Sequence, residues 1–165
     1  MSPRSAIVSL HIAPCGAAPM QSVSQARAVA GRGLEGDRYF SGLGTYSNNP
    51  GTGRHVTLIE IEAVEALKRE YAVDAAAALY RRNIVTRAVA LNHLVEQEFS
   101  VGEVVLRGTR LCEPCVYLEI LSVPGTLRGL IHRGGLRAEV VSGGIIRVGD
   151  PITAIYFTSD EPIDR

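Results

Sequence analysis

The segment RLCEPCVYLE, residues 110–119, holds two of the three cysteines in the chain, Cys112 and Cys115, with Glu113 and Pro114 between them. A C-x-x-C is compatible with half of a zinc site, a redox dithiol, a platform for one reactive thiolate, or two inert buried thiols. Zinc would need two more ligands, and Cys15, His11, His55, His93 and His132 are scattered without ligand spacing. A thioredoxin-like dithiol places its first cysteine at a helix start after a strand, and no βαβ pattern precedes this segment. On spacing alone, inert thiols are the default.

The surroundings argue for more than that. Arginine recurs beside glycine or at the end of an element in GLEGDR (33–38), YRRN (80–83) and HRGGLR (132–137). A guanidinium in such a turn can fork onto a phosphate or carboxylate while neighbouring backbone N–H groups complete an anion nest. Any one of these clusters taken alone reads as solvated arginine, so the argument rests on their number. Other chemistries find little support. Gly31-x-Gly33-x-x-Gly36 has dinucleotide spacing, but it lies between β-like stretches and leads into a loop instead of a helix. No phosphate-binding G-x-x-x-x-G-K-[ST] occurs, and no Ser/His/Asp set has recognisable spacing.

The elements that must position these residues are short. AIVSLHIA (6–13) reads as a strand ended by PCG, and RHVTLIE (54–60) as a second. EIEAVEALKREY (60–71) sets Ile61, Val64, Leu67 and Tyr71 on one face, the clearest helix in the chain. Thr57-x-x-Glu60 has capping-box spacing, but Thr57 belongs to the strand. SGLGTYSNNPGTG (41–53) is too polar and glycine-rich to pack a core and reads as a mobile surface loop of the kind that covers binding sites. From Phe99 onward the pattern is strand-like, with a short helix expected before Gly134-Gly135 and turns at Ser142–Gly144 and Gly149–Pro151.

At 165 residues and 46% hydrophobic content the chain suits one domain with a real core. Seventeen basic residues balance 17 acidic ones, so no global field recruits nucleic acid or an anionic membrane. No run approaches the roughly 20 apolar residues that cross a bilayer. Three cysteines make a poor disulfide scaffold, and a reduced cytoplasmic setting is expected. Short strands, one firm helix and many glycines favour a mostly β, α+β domain of barrel type.

The stretches GLEGDRYF, RHVTLIEIEAVEAL, RRNIVTRAVALNHL, FSVGEVVLRGTRLCEPC, HRGGLRAEV and GGIIRVGDPI, in this order from about Gly33 to Ile152, resemble the MOSC domain, named for the C-terminal domain of molybdenum-cofactor sulfurase. The likeness is to stand-alone bacterial members. It implies a single domain over 1–165 with a closed β-barrel and a few short flanking helices. It also implies a role with molybdenum cofactor, a pterin carrying a dithiolene and a phosphate. Carried over by motif, the family's metal-ligating or sulfur-carrying cysteine falls on Cys115, with Cys112 an accessory or resolving thiol. Around it the resemblance suggests Asp37 orienting Arg38, Asn83 on pterin nitrogens, Arg82, Arg133 and Arg137 for the pterin phosphate, and His132 as a proton donor, with a structural histidine an equal alternative. A thiolate, which must be deprotonated to bind, is a soft strong donor to such a metal and is favoured beside arginine.

Two functions follow from the resemblance. One is an oxidoreductase that reduces N-hydroxylated bases or related N-oxygenated compounds. It would take electrons from an external donor, since the chain has no iron–sulfur or flavin module. The other is a non-redox carrier of persulfide sulfur or of the cofactor, working with a transfer partner. Longer members add an N-terminal domain that helps enclose the cofactor, for which 165 residues leave no room. Lys68, the only lysine, lies on the helix, so no pyridoxal phosphate is expected on this domain.

Overall fold

The computed structural model describes residues 4–48 and 53–155. Eleven strands are seen among them: β1 (Ala6–Ile12), β2 (Gln21–Val23), β3 (Gln25–Val29), β4 (Gly33–Leu34), β5 (Val56–Glu60), β6 (Ile84–Arg87), β7 (Glu98–Val101), β8 (Val104–Leu111), β9 (Leu136–Ser142), β10 (Gly144–Arg147) and β11 (Ile152–Ala154). Three helices, α1 (Ile61–Tyr71), α2 (Val116–Leu121) and α3 (Thr126–Gly129), and 3-10 turns at Ala77–Tyr80 and Leu91–Leu94 complete the order. The domain is mostly β, as its composition of short strands implies. No helix among the described residues is long and apolar enough to cross a membrane.

The expected closed barrel does not form. Eight strands make one sheet in the order β11-β7-β8-β9-β5-β6-β1-β2, and β10-β3-β4 make a second. β1 meets the start of β11 at an antiparallel bridge, Ala6↔Pro151, outside the named ladders, with Ile7 N–H donating to Asp150 O at 3.0 Å and Ile152 N–H to Ser5 O at 3.1 Å. Farther along, the same edge of β1 pairs with β2 through Leu10, His11 and Ile12, so the contact does not extend into a ladder that closes the sheet.

Strand β5 is buried on both faces. Leu58 and Ile84 face a core shared with Leu10, Phe99, Leu106 and Leu136. Ile59 and Val85, one residue on, face a second core with Leu67 of α1, Tyr80, Leu118 of α2 and Leu130. A strand covered on both sides loses the polar–apolar alternation, and in VTLIE the first four residues are all buried, Thr57 included. The expected helix is α1, burying Ala63, Val64, Ala66 and Leu67. Thr57 lies in β5, and Glu60 at the helix start makes no side-chain cap.

A different expectation fails at VYLEIL, which was read as strand-like and is the helix α2. Six residues are too few to show a helical period, and Val116 and Ile120 are exposed, so no apolar stripe marked it. The strands on either side of Gly143, β9 and β10, also part company: β9 pairs with β5 and β8, whereas β10 pairs with β3 in the small sheet.

His11, on β1, is only 4% exposed, and its two ring nitrogens meet Ser22 Oγ at 3.1 Å and Ser9 Oγ at 2.9 Å. Burial holds its pKa below the ordinary 6.5. The unfolded chain therefore takes up a proton at this histidine before the folded one does. The contribution is intact above about pH 6.5 and is lost as pH falls below it. His11→Asn should flatten this acid limb in chemical-denaturation curves at pH 7.5 and 5.5; equal losses in wild type and variant would overturn the assignment.

Candidate functional site

The candidate thiol, Cys115, sits where the large sheet meets α2. Cys115 is the residue preceding α2, its backbone extended at φ −137° and ψ 168°, and its carbonyl accepts Glu119 N–H at 3.2 Å. It is exposed, whereas Cys112 is buried at 2%. The Cys115 side chain opens on a cleft of about 60 Å³ lined also by Arg38, Arg81, Arg82, Arg137, Tyr39, Tyr46, Tyr117 and Glu113.

The three basic turns thus converge, though not through all the expected residues. Arg81 closes the 3-10 turn Ala77–Tyr80 in the left-handed conformation, φ 60°. Its guanidinium donates to the carbonyls of Ala18 at 2.8 Å and Gly16 at 2.5 Å. Arg82 is 7% exposed and donates to Gly134 O at 2.9 Å, Tyr80 O at 3.1 Å and Cys112 O at 3.1 Å. Arg137 comes from β9, opposite Thr57 of β5. Carbonyl oxygens orient the Arg81 and Arg82 guanidiniums and cancel none of their charge. Among the described residues neither forms a salt bridge. Burial, and next the neighbouring Arg38, lower the Arg81 pKa, yet a guanidinium stays charged at any physiological pH. The cleft is therefore rich in fixed positive charge.

Asp37 is fully buried and works as expected on Arg38. Its Oδ1 accepts Arg38 Nη1–H and the Ala13 N–H, each at 3.1 Å, and its Oδ2 accepts Tyr39 N–H at 3.3 Å. Arg38 also donates to Arg81 O at 3.3 Å and lies 4.9 Å from the Tyr39 ring centre.

Asn83, Arg133 and His132 stand elsewhere. Asn83 is a structural weld behind the cleft: its Oδ1 accepts Thr57 N–H at 3.0 Å and Thr57 Oγ–H at 3.2 Å, and its Nδ2 donates to His11 O at 3.1 Å. Its polar groups are spent on joining β1, β5 and β6, which leaves none turned to the cleft. Arg133 points away to Glu70 at 2.8 Å and Gly129 O at 2.7 Å, 6.0 Å from the Tyr71 ring centre. The His132 side chain is 82% exposed, with Nδ1 3.5 Å from Glu113 Oε2, so it meets the cleft only through that rim carboxylate.

The sequence reading missed the aromatic side. Tyr46 and Tyr117 meet edge to face at 6.4 Å, and Thr45 Oγ1 lies 3.2 Å from the Tyr117 hydroxyl. Burial raises the Tyr46 pKa first, followed by the neighbouring Cys115. Residues 41–48 of the polar loop are thus pinned over the cleft, with Gly16 N–H also donating to Leu43 O at 2.9 Å. Residues 49–52, the rest of the expected mobile loop, lie outside the described residues. Arg81 was within sight, adjacent to Arg82 in YRRN; the tyrosines gave no signal because the loop of Tyr46 and the helix of Tyr117 meet only in the folded chain.

The model of the MOSC domain matches residues 45–153, about two thirds of the chain, including the cysteine, α2 and most of the arginines just described. The chain belongs to the MOSC domain family. Solved structures agree on the fold of this MOSC chain. YuaD from Bacillus subtilis matches with a TM-score of 0.76 at 16% identity, over 94% of this chain and 98% of that one. YiiM from Geobacillus stearothermophilus matches at 0.70 and 14% identity, over 92% and 75%. YiiM from Escherichia coli matches at 0.67 and 18%, over 96% and 73%. At these identities the likeness concerns architecture. No curated protein matches the chain.

Proposed function

We propose that this MOSC domain binds molybdenum cofactor at the Cys115 cleft and serves as an oxidoreductase that reduces N-hydroxylated bases or related N-oxygenated compounds. One observation carries the reading: an exposed thiol shares a cleft with the guanidiniums of Arg81 and Arg82, which carbonyls orient and which form no salt bridge among the described residues. Such a cleft suits an anionic ligand that brings a thiophilic metal. Among the described residues no three metal-ligating side chains cluster, so a metal held here would have to arrive with most of its own ligands. A metal on a dithiolene meets that condition and needs one soft protein donor.

In this reading Cys115 supplies the thiolate, while Arg81, Arg82 and Arg137 hold the anionic parts of the cofactor. Bound molybdenum would supply oxygen-atom and electron-transfer chemistry that no side chain here possesses. The protein's own contribution is to fix the thiol, neutralise the anion and limit access of water. Asp37 keeps Arg38 in place, and Tyr46 lines the cleft beside the thiol. A cleft of about 60 Å³ takes an anionic group and not a whole pterin. Binding then requires residues 41–48, held by Thr45 and Leu43, to lift from the mouth. Electrons would come from a separate donor protein, and three free cysteines suit a reducing cytoplasm.

The test is to express the chain in a host that makes molybdenum cofactor and measure molybdenum and pterin per chain. Near one molybdenum per chain is expected in wild type and less than a tenth of that in Cys115→Ser, with unfolding midpoints equal because the thiol is exposed. Equal loading of both proteins would remove Cys115 as the ligand. Absence of metal from both would favour the second reading, a carrier of sulfur or cofactor. The exposure of Cys115 at the mouth supports that reading, and persulfide on Cys115 would be its signature.

A further inference from the structure

Beside the Cys115 cleft lies a separate groove of about 200 Å³, lined by Ala17, Pro19, Met20, Ala78, Leu79, Leu121 and Arg81. The two cavities share Arg81, which stands between them as a partition. Met20 accepts from Arg38 Nη1–H at 3.3 Å through its sulfur, and Arg38 in turn donates to Arg81 O at 3.3 Å. The groove is unlike the cleft in chemistry. Apart from Arg81 its side chains offer no strong hydrogen-bonding group, so a polar ligand would lose its hydration there without replacement. Arg81 itself is bound by its edge: Nη1 and Nη2 each donate to a carbonyl, which fixes the guanidinium plane. A plane held this way presents its face, and the partner for a guanidinium face is an aromatic ring. The size agrees, since a dry cavity of roughly 150 Å³ accommodates benzene.

We propose that this groove binds an aromatic ring stacked on Arg81, so that the small molecule this protein prefers carries an aryl group beside the group that enters the Cys115 cleft. The second half rests on the reading of the cleft as the reactive site; the first does not. A ring so placed is anchored through the partition that also orients the anion site. One residue then reads both the charge and the aromaticity of a ligand.

Two measurements separate these parts. Titration with 3-phenylpropan-1-ol should shift the methyl resonances of Met20, Leu79 and Leu121, with affinity about fivefold above that of 3-cyclohexylpropan-1-ol, the ~1 kcal/mol of a cation–π contact. Ala17→Phe, which fills the groove from an exposed position, should abolish the shifts. Equal affinities for the two alcohols, or no shifts, would overturn ring recognition. Alkylation of Cys115 by iodoacetamides bearing a phenyl group on linkers of increasing length should then be fastest at one length. That advantage should vanish in Ala17→Phe while the rate with plain iodoacetamide is unchanged. Ring binding without acceleration at any length would sink the shared ligand. A Cys115 inert to iodoacetamide itself would instead count against the reactive-thiol reading and leave the titration to decide the groove.

Discussion

Asp37→Ala is expected to cost about 3–5 kcal/mol of stability, the range for removing one partner of a buried ion pair. The pair is well hidden, with 0% of the Asp37 side chain and 7% of that of Arg38 exposed. The substitution leaves the Arg38 guanidinium buried without its carboxylate and beside the Arg81 charge. It also strands the N–H groups of Ala13 and Tyr39, each of which carries a desolvation penalty. Set against a total stability of roughly 5–15 kcal/mol, this is a large fraction. Urea unfolding should show a lower midpoint at an unchanged slope. The double variant Asp37→Ala/Arg38→Met should recover much of the loss, because the Arg38 charge is removed together with its partner. A single-variant cost below about 1 kcal/mol, or no recovery in the double, would show that Asp37 is not the anchor of this corner.

Gly135→Ala is expected to be comparably damaging for a different reason. Gly135 has φ +114°, and a Cβ there would overlap the carbonyl oxygen of Leu58 and crowd the Cα of Ile59. Both neighbours are backbone of the central strand β5, so nothing flexible can give way. The glycine carbonyl also accepts Cys112 N–H at 2.7 Å, so a shift here drags the C-x-x-C segment with it. Backbone strain of about 1–3 kcal/mol and overpacking of about 1–3 kcal/mol add to roughly 2–6 kcal/mol. Gly31→Ala is the control: φ is +73° and no atom lies within 4 Å of the new Cβ, so strain alone remains. Thermal unfolding should rank Gly135→Ala well below Gly31→Ala. Equal midpoints would mean that the close approach to β5 is not what confines this glycine.

Much of this architecture was legible before folding. Helix α1 announces itself by the spacing of Ile61, Val64 and Leu67, and β5 by its β-branched Val56, Thr57 and Ile59. The Asp37–Arg38 pair was legible as well, because its members are adjacent in the chain and interact by local geometry. Elements that leave no periodic trace were not. Helix α2 has six residues and exposes Val116 and Ile120, so the pattern before Gly125 looked β-like. Closure of the sheet could not be judged from strand content either, since it depends on how far the pairing between β1 and the start of β11 runs beyond Ala6↔Pro151.

The candidate site divides along the same line. The residue types, one C-x-x-C and three arginine-bearing turns, together with the family they indicate, are properties of the sequence by itself. Which arginines serve the thiol was decided by the tertiary structure. Parallel pairing of β5 with β6 and antiparallel pairing of β5 with β9 bring Arg81, Arg82 and Arg137 to the same end of the sheet. Arg133, four residues before Arg137, falls on the far side of a turn and pairs with Glu70. Asn83 was spent on holding those strands together. Tyr46 and Tyr117 reach Cys115 through segments about 70 residues apart. Local spacing encodes which face of an element a residue takes; only strand order and register determine whose ends meet.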